Sequence, residues 1–66
     1  MKRKIDITDF TFRPVGFGIY QVIYESPVTG RRWTTIVDDM TIIDATRNAD
    51  TPKIKDLEML KRICKR

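Results

Sequence analysis

The stretch FGIYQVIYESPVTGRRWTTIV, Phe17 to Val37, decides the fold. Aromatic and β-branched residues alternate along both of its arms, and Pro27-Val28-Thr29-Gly30 supplies a four-residue turn between them. That turn sets Ser26 opposite Arg31, and the ladder continues as Glu25 with Arg32, Tyr24 with Trp33 and Val22 with Thr35. Period-two alternation then sorts the side chains onto two faces. One face carries Tyr20, Val22, Tyr24, Trp33, Thr35 and Val37; the other carries Ile19, Gln21, Ile23, Glu25, Arg32, Thr34 and Ile36. The aromatic face is the expected core side, because Tyr and Trp bury large areas while keeping a polar atom near the edge. The reverse arrangement, isoleucines inward and aromatics outward, would make a stacking platform suited to bases.

Before the hairpin, Ile5 and Ile7 are followed by Phe10 and Phe12, so the apolar alternation changes parity around Thr8-Asp9. One extra residue there, a β-bulge, would restore a single apolar face. Pro14 then ends this first strand, and Gly16 and Gly18 permit a tight return into the second. After Val37 the strand pattern stops. Thr41 and Asp44 have capping-box spacing, which predicts a short helix over about residues 41–48. Thr51 as cap, Pro52 in the first turn and the run LEMLKRICKR predict a second helix over about 52–64. Its apolar stripe is Ile54, Leu57, Leu60 and Cys64, with Ile63 beside it.

The expectation is therefore a single α+β domain over residues 1–66. A three-stranded antiparallel sheet (about 4–13, 17–26 and 31–37) is packed by the two helices; strand one pairs with strand two or with strand three, and a free edge is Ile5 to Arg13 or Arg31 to Val37 depending on that order. The expected core is Phe10, Phe12, Tyr20, Val22, Tyr24, Trp33, Val37, Ile54, Leu57, Leu60 and Cys64.

At 66 residues, burial barely offsets chain entropy, so a partner or a second copy is a natural source of further stability. Met59 with Ile63 offers one homodimer contact. The lone Cys64 cannot form an internal disulfide, and without histidine no Cys/His zinc site can be built. That favours a reducing, cytoplasmic setting. Lys2, Arg3 and Lys4 look like the start of a signal peptide, but Asp6 and Asp9 break up the residues after them and no apolar run spans a membrane.

The net charge of +4 is unevenly distributed: +3 over residues 1–37, −3 over 38–50 and +4 over 51–66. Basic ends can approach phosphate backbones, and they also keep a small protein soluble. On the last helix Lys55, Arg62, Lys65 and Arg66 form a face that could contact phosphate, with Glu58 placed to pair with Arg62. Catalysis lacks its usual parts: there is no histidine, no Gly-rich phosphate loop and one serine, Ser26, in the turn. Asp38, Asp39 and Asp44 lack the spacing of an EF-hand loop and are better explained by capping. No enzyme, cofactor or metal is expected.

Gly18-x-Tyr20-x-Val22-x-Tyr24, then Pro27-x-Thr29-Gly30-Arg31-Arg32-x-Thr34, then Asp44-Ala45 before a basic helix, resembles the arm-type DNA-binding domains of tyrosine integrases and the related plant AP2 domains. The resemblance covers about residues 17–47 and implies a three-stranded sheet laid in the major groove and braced by a helix. It implies DNA binding without recombination, since no recombinase domain accompanies it here. The whole chain also looks like short proteins of Bacteroidetes bacteria and their mobile elements, a likeness that implies no activity. Under the arm-domain resemblance, Gln21, Arg32 and Thr34 face the groove and Arg31 contacts phosphate. Arg offers bidentate contacts to guanine and Gln to adenine. Glu25 opposite Arg32 gives the structural alternative, a cross-strand ion pair. Two functions are expected. One is a non-enzymatic DNA- or RNA-binding accessory or regulatory protein using Gln21, Arg31, Arg32, Thr34, Lys55, Arg62, Lys65 and Arg66. The other is a protein-interaction module or homodimer acting through a sheet edge or apolar patch.

Overall fold

Alternating residues place the hairpin where its turn chemistry directs. In the computed structural model, which describes residues 5–66, Ile19–Glu25 (β2) pairs antiparallel with Arg32–Val37 (β3). Glu25 faces Arg32, Tyr24 faces Trp33 and Val22 faces Thr35, the register the turn predicts. The Ser26 N–H donates to the Arg31 carbonyl at 2.9 Å, and the Gly30 N–H donates to the Ser26 carbonyl at 2.9 Å. Gly30 has φ +74°, a backbone conformation that costs a side-chain-bearing residue about 1 kcal/mol or more, so glycine closes this turn. The Ser26 hydroxyl accepts from the N–H groups of Val28 and Thr29, which leaves few donors in the loop for water to satisfy.

The first strand, Phe10–Gly16 (β1), pairs antiparallel with β2, so the sheet order is β1-β2-β3 and β1 and β3 are its edges. This strand starts and ends later than the sequence suggests. Residue 4 lies outside the described residues, and Ile7–Asp9 form a 3-10 turn in place of the expected bulge. The cause is local. The Asp6 N–H donates to the Asp9 carboxylate at 3.2 Å, the Asp9 N–H to the Asp6 carbonyl at 3.0 Å and the Thr8 hydroxyl to the Asp6 carboxylate at 2.7 Å. These short polar side chains give the backbone partners that compete with a ladder. The turn changes the parity and lets Ile5 and Ile7 pack against the core from outside the sheet. Pro14 does not end β1; it pairs with Tyr20, and the register shifts between Pro14 and Gly16. An edge strand tolerates proline because one side of it owes no donor to a neighbour.

Met40–Thr46 (α1) and Ile54–Cys64 (α2) cover one face of the sheet, with α2 packed on β2, β3 and α1. The start of α1 is set by Asp39, not by a Thr41 box: the Thr41 N–H donates to the Asp39 carboxylate at 2.9 Å. Such a cap contributes about 1 kcal/mol. Inside α1, Ile42, Ile43 and Thr46 are buried, and the Thr46 hydroxyl is satisfied by the Ile42 carbonyl at 2.7 Å. The N-cap of α2 is Lys53, with no side-chain bond, so Thr51 and Pro52 precede the helix.

The core comprises Phe10, Val22, Tyr24, Val37, Ile42, Ile43, Leu57, Leu60 and Cys64. Phe12, Tyr20 and Trp33 pack against it half-buried. Register partners Phe10, Tyr24 and Trp33 form an aromatic row across all three strands, with ring centroids 5.1 and 5.6 Å apart. Each such contact adds about 1 kcal/mol beyond the area it buries. Ile54 departs from the expected core, being 45% exposed. Its angle on the helix is right, but it stands at the first turn of α2, where the layer beneath opens into a groove. No helix among the described residues is long and apolar enough to cross a membrane.

Candidate functional site

The helices cover the aromatic face, and among the described residues no helix covers the opposite face of the sheet. That face presents Thr11 and Arg13 from β1, Ile19, Gln21, Ile23 and Glu25 from β2, and Arg32, Thr34 and Ile36 from β3. The sequence-predicted residues Gln21, Arg32 and Thr34 are thus together on one surface. Arg13 sits opposite Gln21 and joins them. Its parity with Thr11, against Phe10 and Phe12, is the available signal in the sequence, hidden where the strand is expected to end at this residue. Arg32 is engaged: its Nε lies 3.5 Å from the Glu25 carboxylate, with both side chains more than half exposed, at 71% and 53%. A pair so exposed contributes about 0–1 kcal/mol and is readily exchanged for another anion.

A second surface gathers Arg31, Lys61, Arg62, Lys65 and Arg66. Arg31 shares parity with Trp33, so it turns to the helix side of β3, away from Arg32. Its guanidinium lies 5.3 Å from the Trp33 ring centroid, and Lys65 from the end of α2 lies 4.8 Å from the same ring. Lys61, one turn earlier, lies 5.7 Å from the stacked Tyr24 ring. Between the hairpin turn and α2 runs an open groove with Pro27 and Val28 on one wall and Lys61, Arg62, Lys65 and Arg66 on the other. Asp9 and Glu58 are its acidic lining residues. Lys61 is absent from the sequence-predicted set, although its four-residue spacing from Lys65 puts both on one helix face. Lys55 does not join either surface; it is exposed near the start of α2 and does not line the groove.

Arginine and lysine over an aromatic face are held there by the ring quadrupole, with about 0.5–1 kcal/mol per contact at exposed sites. Two cations over one half-buried ring also repel each other. An anion placed between them relieves that repulsion and forms charge-assisted hydrogen bonds to both.

Cys64 is buried on the last turn of α2, and burial pushes its thiol up to about 11 from 9.0. The thiolate is therefore scarce at neutral pH, and nucleophilic chemistry at this residue is disfavoured. Stability acquires a pH dependence from the same burial. The folded state holds its proton to a higher pH than the unfolded chain, so Cys64 leaves stability undiminished below about pH 9 and lowers it as pH rises toward about 11. Urea melts of the parent and of Cys64→Ala at pH 8 and pH 10.5 check this: the parent's midpoint should fall more than the variant's. Among the described residues there is no group of three or more His, Cys, Asp or Glu side chains able to hold a metal ion.

Comparison with protein-family models, with curated proteins and with solved structures gives no significant match to this chain.

Proposed function

We propose that this protein is a non-enzymatic nucleic-acid-binding module, an accessory or regulatory protein of the cytoplasm that grips phosphate in the groove between the β2–β3 turn and the end of α2. The observation that carries this reading is the convergence of Arg31 and Lys65 on the Trp33 ring, with Lys65 also lining the adjacent groove beside Lys61, Arg62 and Arg66. Two elements more than 20 residues apart in sequence bring their cations to one place. Phosphate is the abundant ligand that such a cluster suits, because it accepts from several donors at once. Asp9 and Pro27 line both this groove and the hollow beside Glu25 and Arg32 on the open face, so the two surfaces meet at the hairpin turn. On that face Gln21, Arg32 and Thr34, the residues the arm-domain resemblance turns toward the bases, lie beside Arg13 and are able to read base edges.

Fluorescence anisotropy of the full chain with mixed double-stranded and single-stranded oligonucleotides, across a salt series, tests the proposal. Micromolar binding that falls linearly in log salt is expected, and the slope counts the phosphates engaged. Absence of binding at low salt would end this reading.

A second reading, a protein-interaction module, is favoured by one observation: Phe17 at the β1–β2 turn is 106% exposed and Ile36 on the open face 56%. Docking through such residues would depend on salt far less than phosphate binding does.

A further inference from the structure

We infer that this chain associates with itself head to tail, the Phe17 tip of one copy seated in the basic groove of the next. The inference is independent of nucleic-acid binding. It starts from Phe17, whose ring has no cover at all between Gly16 and Gly18. A phenylalanine fully in water at a hairpin tip forfeits the stabilisation that burial of its ring would supply.

The surroundings of the tip define what could cover it. Met40, 42% exposed, stands beside the turn, its sulfur 3.9 Å from where a Cβ on Gly18 would lie. Asp38 and Asp39 immediately precede Met40, and both are exposed. The segment 38–50 carries −3 overall, and its one cation, Arg47, lies 4.9 Å from the Tyr20 ring. The tip is thus an apolar knob on an acidic base. Its complement is an apolar slot with a basic rim.

The groove at the other end of the sheet has that character. Its floor and walls include Ile5, Tyr24, Pro27, Val28 and Ile54, with Val28 84% and Ile54 45% exposed. Its charged lining is Lys61, Arg62, Lys65 and Arg66 against Asp9 and Glu58, four basic side chains to two acidic ones. Knob and groove lie at opposite ends of β2, since Ile19 follows the knob and Glu25 leads to the groove. One molecule therefore cannot fill its own groove, and the contact between copies is heterologous, giving short open chains instead of a closed pair. Opposite charge at the two ends aligns them and makes the association weaken as salt rises. Nucleic acid in the groove would compete with the next copy.

Sedimentation velocity and light scattering on the full chain over a concentration series in low salt test this. The mean mass of the parent should rise with concentration and return to the monomer on adding salt. Phe17→Ser keeps the groove and loses the knob; Arg62→Glu with Arg66→Glu keeps the knob and loses the groove. All three altered side chains are exposed, so circular dichroism should match the parent. Each variant alone should stay monomeric, and an equal mixture should form dimers and stop there, because both outer ends are dead. A parent that remains monomeric throughout overturns the inference, as does a Phe17→Ser variant that assembles like the parent or a mixture that stays monomeric. Phe17→Ser should bind oligonucleotides at least as tightly as the parent does, which separates this result from the phosphate reading.

Discussion

Replacing Leu60 with Ala leaves most of the molecules unfolded at physiological temperature: that is the expected result of a thermal or urea melt followed by circular dichroism. Leu60 is fully buried where α2 lies on the sheet, in the cluster with Val22, Tyr24 and Ile43. Removing a buried leucine side chain costs about 2–5 kcal/mol, the spread reflecting how far the cavity collapses. A chain of this length has roughly 3–10 kcal/mol in total, and small domains fall toward the lower end. The loss is therefore comparable with the whole stability. Two companions make the result specific. Leu60→Met conserves volume and should cost less than about 1.5 kcal/mol. Met59→Ala, one position earlier but 53% exposed, should change stability by no more than about 0.5 kcal/mol. A Leu60→Ala melt close to that of the parent would mean that α2 does not rest on the sheet through this face.

Elements governed by periodicity or by a turn with a single solution were open to reading from residues. Gly30 at the end of Pro27-Val28-Thr29-Gly30 admits one closure, and that closure fixes the whole β2–β3 register, Glu25 to Arg32 through Tyr20 to Val37. Burial of the aromatic side followed from the same alternation. What resisted reading was decided by side chains bonding to nearby backbone. Asp6, Thr8 and Asp9 fold the backbone at Ile7–Asp9 into a 3-10 turn, while Ile5 and Ile7 alone read as a strand. Likewise Asp39 outcompetes Thr41 as the cap of α1. Helical angle gave the right direction for Ile54, but angle says nothing about where the layer underneath ends. The paired role of Arg31 and Lys65 is tertiary: parity placed Arg31 on the Trp33 side, yet only the packing of α2 brings Lys65 to the same ring. Sequence assigned these cations to one function while the fold divides them, Arg32 to the open face with Glu25 and Arg31 to the Trp33 ring, where Lys65 of the groove also lies.

That division makes Arg31 and Lys65 the decisive pair for the phosphate reading. Changing both to Glu should weaken oligonucleotide binding at least tenfold at low salt and flatten the plot of log affinity against log salt. The slope falls by about 0.9 for each duplex phosphate no longer neutralised, so the release of two phosphates should be visible in it. Global charge could mimic this, because four units of positive charge disappear. The control is therefore charge-matched: Lys53→Glu with Lys55→Glu removes the same four units from the exposed start of α2, away from the groove lining. Acidic residues there also suit the helix dipole, so the control should remain folded. The test pair gives up two cation–π contacts, about 1–2 kcal/mol together, which a melt can measure separately from binding. If the groove is the site, the test pair loses binding and the control retains most of it. Equal losses in both would reduce the groove to one part of a general basic surface, and unchanged binding in the test pair would move the site to the open face of Gln21, Arg32 and Thr34.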